Sequence, residues 1–407
     1  MKHFRLSLLC GLLYASTYST LTFAAAFQLY ELGTPIIGTA GVGQAVTQDA
    51  SSSYFNPASM TLLSHSQFMM GGQMTIPYFN FTKSSSTTIF GNNGGNAGDL
   101  IPGLGLYLAY SYSPKLKMGV SLTTPFGGEM TYADGWVGRF YVQQVTFYTI
   151  NLNPSIAWQL SNWASLGAGL SIEYINLQET VAIPIPGITL VNGQAKVSLA
   201  NVAPGFNLGA LFTPYKTTHI GIAFRSQIVH HLSGSTTILG FAANPPTSTK
   251  LVDPAEVIVS ASQGISNQFK LLGEIGWANW STMRDSILVV KGFSATIPQN
   301  WNSTYRIGLG GQYQATCNLM LQLGASYDSS PTTNSKRLPD LPMDKQVRIG
   351  AGVLYHLIKP VTLAASYEYL NFGRGQINNV SSNGTLSGYY KRNYADVVQI
   401  SLNVDLT

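Results

Sequence analysis

Val398-Gln399-Ile400-Ser401-Leu402-Asn403-Val404-Asp405-Leu406 alternates apolar and polar residues without a break. Successive side chains on a strand point to opposite faces, so this stretch is a strand with one apolar and one wet face. The same period of two recurs through most of the chain, with short turns and long loops alternating between the runs. Past the N-terminal segment no apolar run approaches the ~20 residues that a spanning helix needs. This is the pattern of a transmembrane β-barrel, whose apolar side chains face lipid, whose lumen stays polar, and whose closure leaves no unpaired backbone in the bilayer.

Composition agrees. Charged residues make up 10% of the 407 residues, against roughly 25% in soluble domains. Mean hydropathy is only slightly positive, which is too low for a helical membrane protein. The 22 Tyr, 18 Phe and 6 Trp suit aromatic girdles at both membrane interfaces. No composition break divides the repeated pattern, so one barrel with an N-terminal plug accounts for the chain.

Lys2, His3 and Arg5 precede an apolar run from Leu6 to Leu13 and a small-x-Ala site at Thr22-Phe23-Ala24. Residues 1–24 therefore read as a secretory signal, and the mature chain as starting at Ala25. Cys10 follows Leu9, whereas a lipoprotein cysteine follows a small residue. Cleavage leaves Cys317 alone, so no intramolecular disulfide is expected. Loss of Lys2 and Arg5 takes the formal charge from +5 to +3, too little to suggest nucleic acid as a partner.

Residues 25–63 do not alternate. They are rich in Gly and Ala and carry Ser51-Ser52-Ser53-Tyr54-Phe55-Asn56-Pro57-Ala58, so they read as a compact element ahead of a barrel over 64–407. Fourteen strands are expected, near 66–82, 104–113, 117–127, 139–159, 163–178, 196–213, 218–232, 253–265, 268–280, 303–314, 318–328, 345–356, 360–370 and 391–406. The number is even, as bacterial single-chain barrels require. Turns such as Ser113-Pro114-Lys115 and Thr213-Pro214-Tyr215 are short and read as periplasmic. The connections 83–103, 179–195, 233–252, 282–302, 329–344 and 371–390 are long and rich in Gly, Asn, Ser and Thr, and read as loops facing outward from the cell. Gly91-Asn92-Asn93-Gly94-Gly95 lacks a following Lys-Ser/Thr and reads as a flexible outer loop, not a phosphate loop.

Parity assigns the faces. Tyr305, Ile307, Leu309, Val347 and Ile349 point to lipid, whereas Glu173, Arg225, Lys270, Glu274, Arg306, Arg348 and Glu368 point inward. Leu402→Arg is therefore expected to impair folding more than Ser401→Arg. Parity sends Trp277 to the lipid face. His65, His219, His230, His231 and His356 show no metal-ligand spacing and no carboxylate company that the sequence places, so neither metal nor cofactor is expected. His230 and His231 point to opposite faces and cannot chelate together.

The start Ala26-Phe27-Gln28-Leu29, the triplet Asn56-Pro57-Ala58, Trp277-Ala278-Asn279-Trp280-Ser281, Tyr305-Arg306-Ile307-Gly308-Leu309-Gly310 and Gly324-Ala325-Ser326-Tyr327-Asp328-Ser329-Ser330-Pro331 occur in that order. In this order they resemble the FadL family, outer-membrane transporters of Gram-negative bacteria for long-chain fatty acids and for other hydrophobic compounds such as monoaromatic hydrocarbons. The resemblance implies a monomeric barrel plugged by a hatch, with Phe27, Leu29, Asn56, Pro57 and Ala58 as hatch residues. It also implies substrate capture near the outer loops and sideways release into the bilayer through a kink in the third strand, here Thr124-Pro125-Phe126-Gly127-Gly128. Independently, Pro125 cannot donate a ladder bond and the two glycines permit bulged geometry; the alternative is that Pro125 merely ends the strand.

A fatty acid needs an apolar slot and a cation or amide for its carboxylate. Arg225, Arg306 and Arg348 are the candidate cations. They could equally pair with Glu173, Glu274, Glu368 or Asp328 and pin hatch to wall. Asp328 could likewise start a turn, and Asn56 could be turn chemistry. The fifth strand, Tyr174-Ile175-Asn176-Leu177-Gln178, offers no basic counterpart to the family's, which favours uncharged substrates. The chain ends Leu406-Thr407 where family barrels end in an aromatic, so the outer-membrane insertion machinery is expected to read Leu406 or a weaker signal. Membrane lipids are the other expected partner. The competing readings are a lipid-modifying enzyme, for which no Gly-x-Ser-x-Gly or other catalytic motif appears, an open porin, and an adhesin built on the loops.

Overall fold

The structure is a computed structural model that describes residues 28–30, 32–185, 188–238, 244–283, 285–291, 293–298, 300–381 and 383–406. The signal segment 1–24, the start at Ala25 and Phe27 lie outside the described residues. Among the described residues no helix is long and apolar enough to cross a membrane. The chain crosses with strands, forming a closed antiparallel barrel of 14.

The first four strands of the wall are Ser66–Lys83, Ile101–Ser111, a third in two pieces (Leu116–Thr123 and Gly127–Thr131), and Gln144–Ser161. The fifth and sixth are Ala164–Ile185 and Ile188–Tyr215; the seventh comprises Thr218–Arg225 and Ile228–Ile238, and the eighth Pro246–Asp253 and Glu256–Gly264. Phe269–Ala278, Thr304–Gln314, Leu319–Asp328, Gln346–Ile358, Val361–Asn371 and Gly384–Leu406 complete the circuit. The first strand closes on the fourteenth, from Ser66↔Leu406 to Lys83↔Gly388.

The alternating sequence sets the faces. On the tenth strand Tyr305, Ile307 and Leu309 are exposed to lipid while Arg306 is buried. Exposed Tyr110, Trp158, Trp163, Tyr215, Phe269, Tyr313 and Tyr355 ring the periplasmic rim, and Tyr148, Tyr305, Tyr327 and Tyr367 ring the outer one. Tyr305 and Tyr313 lie on one strand, about 27 Å apart at ~3.4 Å per residue, which fits a tilted crossing of a ~25 Å apolar band. Trp277 pairs with Tyr305 at the outer girdle, on the face that parity gave it.

The outer connections differ from their composition-based reading. The segment 233–252 is largely a hairpin of Ile228–Ile238 with Pro246–Asp253, and 179–195 is nearly all strand. Asp285–Val290 pairs with Phe293–Pro298, and Ile377–Ser381 pairs with the start of the fourteenth strand. Thr, Val and Ile in these segments carry strand propensity that the Gly and Ser count hid. Thr236 and Thr247, for instance, join their hydroxyls across the hairpin at 2.7 Å.

Two connections do not point outward. Residues 132–143 and 329–345 fold into the outer lumen, which is why the fourth strand begins at Gln144 and not near 139. Gly91-Asn92-Asn93-Gly94-Gly95 is not a loose loop. The Asn92 amide donates to the Gly135 carbonyl, and the Asn92 carbonyl accepts from Val137 N–H. Gly94 has φ +80°, and a Cβ on Gly91 would lie 2.4 Å from Gly135 O, so this docking requires the glycines.

Residues 28–63 plug the barrel as short turns: Pro35–Thr39, Gln44–Val46, Ser52–Phe55 and Pro57–Leu62. Lumen-facing glycines let the plug sit directly on the wall. Added Cβ atoms at Gly221 and Gly350 would fall 1.9 Å from Ala45 O and 2.1 Å from Ile37 O.

Candidate functional site

From outside inward, the lumen holds an aromatic layer, a charged layer and the plug. In the outer layer Tyr132 stacks on Trp136 with ring centroids 3.8 Å apart, and the Trp136 indole donates to Val142 O at 2.7 Å. Tyr132 donates to Pro339 O at 2.7 Å. Burial and the neighbouring Tyr390 hold the Tyr132 phenol well above its usual range, so it remains a neutral donor. Arg337 organises the second inward loop, reaching Met343 O, Gln376 O and the Asp344 carboxylate. The apolar cluster continues down through Trp280 and Trp301 to Phe126 in the third strand. Trp280 meets Phe126 edge to face.

The third strand is interrupted at Thr124-Pro125-Phe126. Its ladder with the second strand stops at Gly105↔Thr123, and Gly127–Thr131 pairs with the fourth strand. The Thr124 hydroxyl accepts the Leu104 amide at 3.1 Å. The Pro125 carbonyl turns inward and accepts the N–H of Leu29 in the plug at 2.9 Å. Gln28 forms an antiparallel bridge with Phe126, and its side-chain amide donates to Glu256. Gly127 lies under Leu29, since an added Cβ would meet Leu29 Cδ1 at 3.5 Å. On the lipid side of this interruption lies a hollow of about 500 Å³, lined by Met70, Gly72, Leu104, Leu106, Leu122, Thr124, Ile150 and Ile400 among others.

The candidate cations differ in company. Arg306 pairs with Glu274 at 3.2 Å and approaches Asp328 at 3.8 Å, and it donates to the plug carbonyl of Ala40 at 2.8 Å. Arg348 pairs with Asp328 and lies 3.5 Å from Glu368. Both guanidinium groups lie over the Tyr30 ring of the plug. These arginines therefore bind wall to plug. Arg225 has no carboxylate within ion-pair distance among the described residues. It stacks 3.8 Å over Tyr54, donates to Tyr54 O at 2.9 Å, and lines a cavity of about 40 Å³ with Gln28, Leu29, Tyr30, Pro125 and Glu256.

Asn56 caps the turn Pro57–Leu62 by accepting the Ala58 amide, and its Nδ2 donates to Ala45 O within the plug and Ala210 O in the wall. A Cβ on Gly167 would lie 2.5 Å from Ala58 N. The triplet is thus a docking element, flush with the barrel. The family's basic residue has no counterpart at Tyr174–Gln178, where Ile175 and Leu177 face inward between buried Glu173 and Glu179.

Sequence reading left His230 without carboxylate neighbours, and the structure corrects this. Its Nε2 lies 3.4 Å from Glu173 and 3.2 Å from Asp253, partners separated by 57 and 23 positions in sequence and brought together by strand register. No sequence spacing could have displayed them. His231 points outward, as parity required.

Beneath the plug, a cavity of about 260 Å³ opens at the periplasmic end, bordered by Gln67, Lys270, Gln312, His356, Asn403 and Asp405 and by apolar Ile36, Val42, Met69 and Leu272.

Comparison with known proteins agrees with this architecture. Over residues 15–406 the chain matches the family model described as outer membrane protein transport protein (OMPP1/FadL/TodX). It is 26% identical to an outer membrane protein of Neisseria meningitidis serogroup B, covering 91% of this chain and 92% of that protein. It is 24% identical to the long-chain fatty acid transport protein of Escherichia coli O6:H1, over 87% and 88% of the two chains. The crystal structure of a Pseudomonas aeruginosa FadL homologue superposes with a TM-score of 0.87 at 21% identity, covering 94% of this chain and 100% of that one. The chain is a member of the OMPP1/FadL/TodX family of outer-membrane transport proteins and resides in the Gram-negative outer membrane.

Proposed function

We propose that this protein takes up long-chain fatty acids passively, gated by the plug, and releases them sideways through the interruption in the third strand. The observation that carries the reading is the hydrogen bond from Leu29 N–H to Pro125 O: the plug is latched onto the gap in the wall. The aromatic layer reaching Phe126 offers an apolar path to that gap, and the hollow beyond it is apolar and faces lipid. Arg225 is the cation for the substrate carboxylate, because Arg306 and Arg348 are already neutralised. At about 40 Å³ its cavity has room for no more than a few waters in this latched state, so substrate enters when residues 28 and 29 withdraw.

The test is uptake of labelled oleate beside labelled toluene by a transporter-deficient bacterium carrying wild type, Arg225→Gln, or a replaced Asn56-Pro57-Ala58 triplet. Oleate entry that Arg225→Gln weakens while toluene entry is unchanged supports the assignment. Toluene entry alone moves the reading to monoaromatic hydrocarbons. Entry of neither through a folded barrel turns it to a lipid-modifying enzyme or an adhesin.

A further inference from the structure

Glu173 of the fifth strand, His230 of the seventh and Asp253 of the eighth converge in the lumen, all three buried. A ligand atom from each lies within 4.8 Å of the others. The ring nitrogen Nε2 of His230 faces Glu173 Oε1 at 3.4 Å and Asp253 Oδ2 at 3.2 Å. Charge-assisted N–H···O bonds are shorter, about 2.7–2.9 Å. A tetrahedral ion with bonds of ~2.0–2.1 Å holds its ligand atoms about 3.3–3.4 Å apart, close to the spacing of His230 Nε2 from each carboxylate.

The surroundings suit an ion. Asn201 Nδ2 donates to His231 O at 3.1 Å, which turns Oδ1 toward His230 Nδ1 at 3.3 Å. That acceptor places the ring proton on Nδ1 and leaves the Nε2 lone pair aimed at the two carboxylates, the orientation outer partners impose on metal-binding histidines. Asn151 donates to the other Glu173 oxygen at 2.9 Å. Apart from the His230 contact, no hydrogen-bond donor meets either buried Asp253 oxygen among the described residues. Two carboxylates and a neutral imidazole carry two negative charges, which one divalent ion cancels.

We propose that Glu173, His230 and Asp253 form a binding site for one divalent transition-metal ion of the zinc type, with water as a further ligand. The ion braces a weak place in the wall. The seventh strand breaks between Arg225 and Ile228 and the eighth between Asp253 and Glu256, immediately beside these ligands. Through Asn151, which pairs with Thr123, the site also adjoins the interruption in the third strand.

The experiment is cobalt titration of the full-length barrel, extracted with a chelator and then dialysed. One equivalent with visible d–d absorption of low-coordinate Co²⁺ is expected for wild type and for His219→Gln. Loss of that binding is expected in Glu173→Gln, His230→Gln and Asp253→Asn, and about a tenfold weakening in Asn151→Ala. Where a variant fails to fold, X-ray absorption of the zinc-loaded wild type decides, since one imidazole with oxygen ligands at ~2.0–2.2 Å is required. No binding by the folded wild type, binding unchanged by the three substitutions, or a different ligand set overturns the proposal.

Discussion

Gly350→Ala tests whether the plug is seated on the wall by the absence of side chains. A Cβ at position 350 would lie 2.1 Å from Ile37 O and 2.7 Å from Ala40 N. Both atoms are backbone, in the turn Pro35–Thr39 and its left-handed cap Ala40, so no flexible side chain can step aside. Displacing the turn also strains the bonds that Arg306 and Ser326 donate to Ala40 O at 2.8 and 2.9 Å. Overpacking of this kind costs about 1–3 kcal/mol, and the rigid partner places Gly350→Ala toward the upper end. The control is Gly273→Ala, whose Cβ would meet nothing within 4 Å; it is expected to be neutral or to gain up to ~1 kcal/mol. Urea unfolding from lipid vesicles, followed by tryptophan fluorescence, reads the stability. Labelling of a thiol introduced by Ser53→Cys in a Cys317→Ser background, at a position buried in the plug, reads local undocking, which is expected to rise about 5- to 160-fold for this free energy. Equal unfolding of the two glycine variants, with labelling at the wild-type rate, would refute the seating argument.

Ile400→Arg, on the lipid face, is expected to destabilise the barrel by about 2–4 kcal/mol. Asn403→Arg, at the periplasmic cavity, leaves heat-modifiable gel mobility unchanged. Asn403 is a better lumenal control than Ser401, which is buried beside Gly71 under the plug. Asn56→Ala uncaps the Ala58 amide and removes the side-chain donor from Ala210 O and from Ala45 O, which keeps its bond from Ser59; the loss of about 1–3 kcal/mol appears as protease access to the plug. Arg348→Met leaves Asp328 and Glu368 buried without their shared cation and costs about 3–5 kcal/mol in the same unfolding assay.

The barrel was legible because a period of two is a local property: Arg306 between Tyr305 and Ile307 declares its face without any knowledge of neighbours. Strand ends were less so, because ladder pairing extended Thr-rich segments such as Thr236–Ile238 that composition presented as loop. Inward folding of 132–143 was illegible for another reason. Nothing local marks Trp136 and Tyr132 as lumenal; only the fold puts Phe81 and Tyr390 beside them. The arginine network was anticipated as one of two possibilities, since inward parity fixes that charges meet but not which ones. The company of His230 required three strands to be in register, and no one of them carries the pattern.

Which part of the plug can move follows from how it is held. Its body is fixed by bonds spread over much of the barrel: Glu274 accepts the amides of Gly43 and Gln44, Ser260 accepts Ala45 N–H, Thr61 meets Ser165 at 2.8 Å, and Lys117 reaches Leu63 O. With the contacts of Asn56 and Ala40 added, and about 1–3 kcal/mol for each buried group left unpaired, release of the body rivals the ~5–15 kcal/mol that stabilises a whole domain. Residues 28 and 29 are held at the gap by Leu29 N–H and the Gln28 amide, a cost that ligand binding can meet. A bridge between thiols introduced by Leu29→Cys and Gly127→Cys, closed with a short crosslinker, is therefore expected to abolish oleate uptake. A disulfide from Thr61→Cys and Ser165→Cys is expected to leave uptake intact. Uptake that survives the first bridge, or stops with the second, would mean that the plug moves as one body and that the latch at Pro125 does not control the path.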